Sequence, residues 1–259
     1  MPERDMSVKS LHKAARLLDC FTREHPSWTL SQLASQLRMH PTTAFRLLAT
    51  LQELGYVSHD PRTRHYRLGL KVLELGARVL AGMDPVREAE GLLHDLAADT
   101  GESSYLSIHR DGMVVYVAAV DSAQMIKTSA TIGEQRPLHS TGSGKLFLAF
   151  MSAEERSRHL QGFLSQRGPN TITDTRVLES ELALIREQGF AVSYEEDHVG
   201  LVSTAAPVFG REGLVASLSL AGPAFRLPRE TLVGLSSRVV EDARTLSSRL
   251  GAPGLAYRR

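Results

Sequence analysis

The segment HSTGSGK, from His139 to Lys145, contains residue types that suggest ligand chemistry. Glycine, hydroxyl and lysine groups can hold phosphate when they follow the pattern G-x-x-x-x-G-K-[ST]. That pattern fails here at two positions, because His139 replaces the first glycine and Leu146 replaces the final hydroxyl. We therefore interpret the segment as a loop that leads into a helix, whose free N–H groups can hold an anionic or polar effector. A tight capping turn without a ligand is the alternative.

A second group of polar residues could read DNA. Arg46 follows Thr42 and Thr43 by about one helical turn. An arginine can donate two hydrogen bonds to O6 and N7 of guanine, which gives about 1–3 kcal/mol of discrimination. A phosphate contact, which positions the protein without reading sequence, is the alternative for Arg46. The two threonines could contact a phosphate or the methyl group of thymine.

Catalytic and metal chemistry have less support in the sequence. It contains neither G-x-S-x-G nor H-E-x-x-H, and its single cysteine, Cys20, excludes an internal disulfide and a cysteine-cluster zinc site. For Glu195–His198, with the sequence EEDH, we expect a solvated acidic turn and no metal site. We expect no catalytic residues and no cofactor, and a metabolic enzyme or a bifunctional enzyme–regulator remains the alternative.

The elements that must position Arg46 form a helix-turn-helix pattern over Thr29–Val57. Thr29 and Gln32 have the spacing of a capping box, and Pro41 suits the first position of the second helix. The residues expected to face inward are Leu30, Leu33, Ala34, Leu37, Ala44, Leu47, Leu48 and Leu51. An ordinary helical hairpin is the alternative interpretation of this stretch.

Flanking segments complete a winged helix. Ser10–Arg23 is a predicted first helix, with its inward face at Leu11, Ala14, Ala15, Leu18 and Phe21. A strand–turn–strand pattern follows the third helix, and its turn carries Arg62 and Arg64. Arginines at such a turn are expected to contact phosphates, and a solvated hairpin with incidental arginines is the alternative.

The next segment, Gly69–Met83, predicts a helix with two apolar faces. Leu70, Leu73, Ala77 and Leu80 follow heptad spacing, and a second apolar stripe comprises Val72, Leu75 and Val79. Such a helix must bury both faces, which indicates a linker helix that contacts another subunit.

The remainder predicts an α+β domain with a largely antiparallel sheet flanked by helices. Ser104–His109 and Met113–Val120 form a predicted hairpin, and Ile126–Thr131 is a possible third strand. Tyr105, Met125 and Ile126 could form the apolar wall of a small-molecule pocket, and an ordinary core position is the alternative for each of them. The predicted division is 8–68 for the winged helix, 69–84 for the linker helix and 85–259 for an effector-binding and oligomerisation domain.

Charge is distributed unevenly along the chain. Residues 1–83 contain twelve Lys and Arg and seven Asp and Glu, a net charge of +5. Because the whole chain of 259 residues carries +1, the remaining residues carry −4. A basic N-terminal third followed by an acidic remainder is typical of a DNA-binding module attached to a separate domain. No apolar run approaches the roughly 18–20 residues that span a bilayer, so we expect a cytoplasmic protein without a membrane partner.

Five segments together resemble the IclR family of bacterial transcriptional regulators. They are TLSQLASQLRMHPTTAFRLLATLQELGYV, RHYRLGLKVLELG, PLHSTGSGKLFLAF, NTITD, and the pair EEDHVGLVSTAAPVF with GLVASLSLAGP. The resemblance spans about residues 8 to 250. It implies an N-terminal winged helix, a linker helix and a C-terminal effector domain similar to GAF-type sensors. Such regulators bind double-stranded operator DNA as dimers or dimers of dimers, and they respond to a small organic acid or an aromatic compound.

The resemblance also assigns site residues and shows departures. It places effector contacts near Gly142, Ser143, Ser203 and Ser219. Ser203 stands where a cysteine is common, and Ser193 stands where many members carry an aspartate. In the recognition helix Pro41 replaces a lysine and Phe45 replaces a frequent histidine, so operator contacts should differ from those of typical members. The full set of expected DNA-contacting residues is Thr29, Ser31, His40, Thr42, Thr43, Phe45, Arg46, Arg62 and Arg64.

Overall fold

A computed structural model describes residues 8–252 of the chain. The chain divides into two compact units, one ending at Gly82 and the other beginning at Met83. The last seven residues of the predicted effector domain, 253–259, lie outside the described residues.

The first unit is a winged helix. Its elements are α1 (Lys9–Leu18), β1 (Trp28–Thr29), α2 (Leu30–Gln36), α3 (Pro41–Glu53), β2 (Val57–Asp60), β3 (His65–Leu68) and α4 (Leu70–Ala81). The three strands form an antiparallel sheet in the order β1-β3-β2. The helix-turn-helix and the wing hairpin expected from the sequence are therefore confirmed.

Local capping sets the start of each helix in the helix-turn-helix. The Thr29 side chain and the Gln32 side chain form the predicted capping box at α2. At α3, Nδ1 of His40 accepts a hydrogen bond from the Thr42 N–H at 3.4 Å, and Pro41 occupies the first turn. Both helices pack on one core with the following buried residues: Leu17, Leu33, Leu48, Leu51, Val57 and Tyr66.

The predicted first helix is wrong in its end and only partly correct in its face. α1 ends at Leu18 and not at Arg23, and the residue it buries is Leu17. Of the predicted inward residues, Leu18 and Phe21 are half-buried against the core, whereas Leu11 is exposed. The indole N–H of Trp28 donates to the Cys20 carbonyl at 2.8 Å, which ties the chain after α1 to β1. Helical periodicity indicates neither this hydrogen bond, which spans eight residues, nor the two-residue strand β1.

Most apolar side chains of the linker helix α4 are exposed, whereas Val72 and Leu80 are half-buried. None of its residues is buried, and Leu73 is 68% exposed. Leu70 and Val79 are similarly exposed. An apolar helix face of this kind has no partner within the single described chain.

The second unit contains a six-stranded sheet between helices. Its elements are α5 (Asp84–Thr100), β4 (Ser103–Arg110), β5 (Met113–Val120), β6 (Gln135–Pro137), α6 (Gly142–Phe150), α7 (Ala153–Leu160), α8 (Thr175–Gln188), β7 (Ala191–Tyr194), β8 (Leu201–Gly210), β9 (Gly213–Pro223) and α9 (Arg229–Arg249). The strand order is β6-β5-β4-β9-β8-β7, and every neighbouring pair is antiparallel. The predicted α+β class is confirmed.

Helices cover both faces of this sheet because side chains alternate along each strand. On β8, Thr204 shares a hydrogen bond of 2.7 Å with Ser236 of α9. Its neighbour Ser203 lies next to Gly142, at the start of α6. The face toward α6 is the one that carries the candidate site.

The prediction of a possible strand at Ile126–Thr131 is wrong. The segment is a loop, and the edge strand of the sheet is the unpredicted β6. Thr128 ties this loop to the sheet, since its carbonyl accepts from Ser103 Oγ at 2.7 Å and its hydroxyl donates to the Ala221 carbonyl at 2.9 Å. These side chain–backbone bonds take the place of a strand ladder.

Within residues 8–252, no helix is both long enough and apolar enough to cross a membrane.

Candidate functional site

A small cavity of about 60 Å³ lies between the sheet of the second unit and the start of α6. Six of the eight predicted effector residues line it, namely Tyr105, Gly142, Ser143, Ser193, Ser203 and Ser219. Met125 and Ile126, expected to form an apolar wall, do not line it, and Met125 is 98% exposed. Ile126 is exposed as well, and Thr128 is a residue of this loop that hydrogen-bonds to the sheet.

The first turn of α6 reaches the cavity because its sequence permits close packing. Thr141 caps the helix by accepting from the Gly144 N–H at 3.0 Å. A Cβ at Gly144 would lie 2.3 Å from the Leu138 carbonyl oxygen, so a larger residue would displace the backbone. A Cβ at Gly142 would lie 3.1 Å from Ser203 Oγ, which shows how closely the helix start approaches β8. The remaining first-turn N–H groups have no partner within the helix and can bind an anion.

Neutral hydroxyl groups supply most of the other polar surface. The Tyr105 hydroxyl donates to the Thr128 carbonyl at 2.9 Å, and its ring lies 5.3 Å from that of Tyr116. Burial raises the pKa of both tyrosines, so both remain protonated donors near neutral pH. Ser143 accepts from Ser217 at 3.1 Å, and Ser193 donates to the Ser140 carbonyl at 2.9 Å.

The cavity also contains an ion pair that sequence reasoning missed. Nη1 of Arg136 lies 3.3 Å from Oδ2 of Asp197, and both residues line the cavity. Asp197 is only 3% exposed and accepts further hydrogen bonds from Ser140 and Arg167. Arg136 also forms an ion pair with Glu134, so a compact anion bound beside the hydroxyl donors would share this cation with two carboxylates.

The expectation of a solvated acidic turn at Glu195–His198 is wrong. Glu196 is buried, and its Oε1 lies 2.7 Å from Nζ of the fully buried Lys145. Nζ of Lys145 also lies 3.2 Å from Oε1 of Glu181 on α8. The signal that could have revealed this cluster is Lys145 itself, because a lysine within the apolar helix sequence GSGKLFLAF requires a buried anion. Across the described residues, no group of three or more His, Cys, Asp or Glu side chains is placed to hold a metal ion.

The candidate DNA-contacting residues fall on three parts of the first unit. On α3, Thr42, Phe45 and Arg46 are exposed, whereas Thr43 is half-buried. Thr29 and His40 are the caps of α2 and α3, and the exposed Ser31 lies 3.2 Å from the Thr29 hydroxyl.

The wing carries Arg62 and Arg64 in its exposed turn. The Asp60 carboxylate orders this turn, since it accepts from the Arg62 N–H at 2.9 Å and from the Thr63 hydroxyl at 3.0 Å. These hydrogen bonds hold the pKa of Asp60 below its ordinary value. The two arginines therefore extend from a turn that is ordered by hydrogen bonds to Asp60.

Comparison with known proteins matches both units. The helix-turn-helix domain of IclR matches residues 10–61, and the C-terminal domain described as bacterial transcriptional regulator IclR matches residues 77–248. The HTH-type transcriptional regulator KdgR of Escherichia coli is 34% identical over 247 residues, which cover 95% of this chain and 94% of KdgR.

Solved structures agree over almost the whole chain. A transcriptional regulator from Rhodococcus sp. RHA1 is 31% identical with a TM-score of 0.85, covering 95% of this chain and 99% of that one. An IclR homologue from Microbacterium hydrocarbonoxydans, complexed with 4-hydroxybenzoate, shares the fold at 21% identity with a TM-score of 0.83, covering 94% and 100%.

The curated relatives are named as transcriptional regulators or repressors and not as enzymes, which confirms the expectation of a regulator. The chain therefore belongs to the IclR family of bacterial transcriptional regulators, with a helix-turn-helix domain and an effector-binding domain.

Proposed function

We propose that this regulator controls a catabolic or metabolic operon and changes its binding to operator DNA when a small organic effector enters the cavity. The observation that carries the proposal is the convergence of the α6 N-terminus, serine hydroxyls and Arg136 on one cavity of a chain that also holds a winged helix. Its site of action would be the cytoplasm, where the operator DNA lies.

In the proposed DNA interface, α3 would contact base edges and the wing would contact phosphates. Arg46 is the candidate for a base-edge contact, with Thr42 and Thr43 beside it. Arg62 and Arg64 would contact phosphates, which increases affinity without reading sequence. The cap residues and their neighbours would lie at the edge of this interface; they are Thr29, Ser31, His40 and Phe45.

The effector is best described as a compact organic acid. Its carboxylate could accept hydrogen bonds from the α6 N-terminus and from Ser143, Ser203 and Ser219, close to the Arg136 cation. The cavity of about 60 Å³ is smaller than the roughly 150 Å³ that holds benzene in an apolar protein interior. An aromatic acid such as the 4-hydroxybenzoate of the Microbacterium homologue would require the cavity to widen.

Oligomerisation would bury the apolar faces of α4. Leu70, Leu73 and Val79 are exposed in the single chain, and a second copy offers the same apolar faces in return. We infer a dimer, or a dimer of dimers, in which an effector that favours one arrangement biases the two recognition helices toward or away from half-site spacing.

The test is a titration of the full-length protein against the DNA upstream of its own gene, by fluorescence anisotropy at several salt concentrations. We expect binding that weakens steeply with salt, and a shift in affinity when a metabolite from a thermal-shift screen is added. Ser203→Val should fill the cavity, abolish the response to that metabolite and leave DNA binding intact. Failure to bind the fragment at low salt, or an unchanged response in Ser203→Val, would contradict the proposal.

A further inference from the structure

Phe45 lies at the edge of the outward face of α3, and its apolar ring is not part of the described core of the unit. Its side chain is 53% exposed. Thr42 and Ala49, at spacings of −3 and +4, are exposed on the same side of the helix as Phe45, and Arg46 is exposed farther around the outward face. The buried residues Ala44, Leu48 and Leu51 lie on the side of the helix opposite Arg46, and Leu48 borders Phe45 at a spacing of +3. The ring is therefore placed toward whatever α3 binds.

The chemistry of the major groove offers a partner for such a ring. The C5 methyl group of thymine is the one apolar feature among the base edges, and phenylalanine is among the residues that contact it. Thr42 and Ala49 are short, so the helix can approach the base edges closely enough for the ring to reach them. Arg46 follows Phe45 in the chain and would read a guanine nearby.

We propose that Phe45 is a specificity-determining residue that contacts the methyl group of a thymine next to the base pair read by Arg46. This inference rests on the proposed DNA contact of α3. The operator would then require thymine, and not merely a base with the same hydrogen-bonding groups, at that position.

An apolar protein surface is the competing partner for Phe45. The surrounding residues favour DNA, because an apolar interface would place the Arg46 guanidinium against nonpolar groups. The net charge of +5 over residues 1–83 likewise favours a partner with phosphates.

The experiment begins with selection of binding sites from a randomised duplex by the full-length wild-type protein. Each thymine of the selected site is then replaced by deoxyuridine, which removes the methyl group and keeps every hydrogen-bonding group. Binding is measured by anisotropy at one fixed salt concentration. We expect about fourfold weaker binding at one thymine of each half-site, the effect of one buried methyl group.

Variants connect that loss to Phe45. Phe45→Ala should bind the thymine site more weakly and lose no further affinity on the deoxyuridine site, whereas Phe45→Leu should retain part of the discrimination. Leu54→Ala removes another exposed apolar side chain, at the C-terminal end of α3, and should behave as wild type. Thermal unfolding and sedimentation verify that each variant is folded and has the wild-type oligomeric state.

Two results would overturn this inference and leave the proposed function standing. One is that no deoxyuridine substitution in the selected DNA weakens binding. The other is that Phe45→Ala loses as much affinity on the deoxyuridine site as the wild type does. Dissociation of the Phe45→Ala oligomer would assign the ring to a contact between copies and would overturn it as well. If the wild type selects no DNA, the proposed function fails, and the inference fails with it.

Discussion

Lys145 and Glu196 form a buried ion pair next to the candidate effector cavity. Lys145 follows the first turn of α6, and Glu196 precedes the cavity residue Asp197. Nζ of Lys145 and Oε1 of Glu196 are 2.7 Å apart, and both side chains are buried. Burial raises the pKa of Glu196, although the Lys145 cation opposes the rise. Removing one partner would leave a buried charge without compensation.

We therefore expect Lys145→Met to lower the free energy of unfolding of the effector unit by about 3–5 kcal/mol at pH 7. Without Lys145 the pKa of Glu196 should rise further. An acid whose pKa is raised by folding, such as Glu196, binds its proton more tightly in the folded state than in the unfolded state. This favours the folded state at pH values below the unfolded pKa, and the favourable contribution is lost as pH rises through the folded pKa. The deficit relative to wild type should therefore shrink as pH falls from 7 to 5, as measured by urea unfolding.

The double variant Lys145→Met with Glu196→Gln is the matched control. It removes both charges, so it should recover much of the lost stability and show no such pH dependence. An equal deficit of the single variant at both pH values would contradict a buried charge as the cause.

At the scale of elements, α3 and the wing present arginines in different ways. Arg46 extends from a helix whose opposite side is fixed in the core, which suits a defined base contact. Arg62 and Arg64 extend from an exposed turn ordered by Asp60, which suits contacts with the phosphate backbone. The two elements should therefore affect affinity and specificity separately.

We expect Arg46→Ala to weaken binding to the selected operator by about 1–3 kcal/mol and to change binding to unrelated DNA much less. Arg62→Ala should weaken binding to both DNAs alike and lower the slope of log affinity against log salt by roughly one unit. Anisotropy titrations of both variants on both DNAs separate these outcomes. A uniform loss in Arg46→Ala would reassign that residue to a phosphate contact.

At the scale of the whole molecule, α4 is an element whose apolar side chains Leu70, Leu73 and Val79 are largely exposed in the single described chain. α4 is the last helix before the boundary between the DNA-binding and effector-binding units. If a second copy covers these side chains, the contact between copies involves the segment that joins the two units. Coupling free energies of typical allosteric proteins, about 1–3 kcal/mol, correspond to a 5- to 150-fold change in DNA affinity.

Leu73→Glu should keep the effector-induced thermal shift and lose the effector-induced change in DNA affinity, because it places a charge in the proposed contact between copies. A polar replacement at Leu80 should act similarly. Arg78→Gln, on the same helix, replaces an exposed polar residue and serves as the control. A full DNA response in Leu73→Glu would show that coupling does not pass through this face.

Local patterns in the sequence were sufficient to predict the winged helix, the α+β class and the family. Helical and strand periodicities, the Thr29–Gln32 capping box and the placement of Pro41 act over a few residues, so they can be recognised without a fold. The resemblance also pointed to serine and glycine positions that line the cavity.

Only the tertiary structure decided which charges are buried and which apolar residues are exposed. Lys145 and Glu196 are far apart in sequence, as are Arg136 and Asp197, and no local periodicity indicates that they meet. Met125 is exposed, whereas Thr128 of the same loop hydrogen-bonds to Ala221 on β9. Burial of a charge depends on the partner that compensates it, and that partner is brought into place by the packing of distant segments.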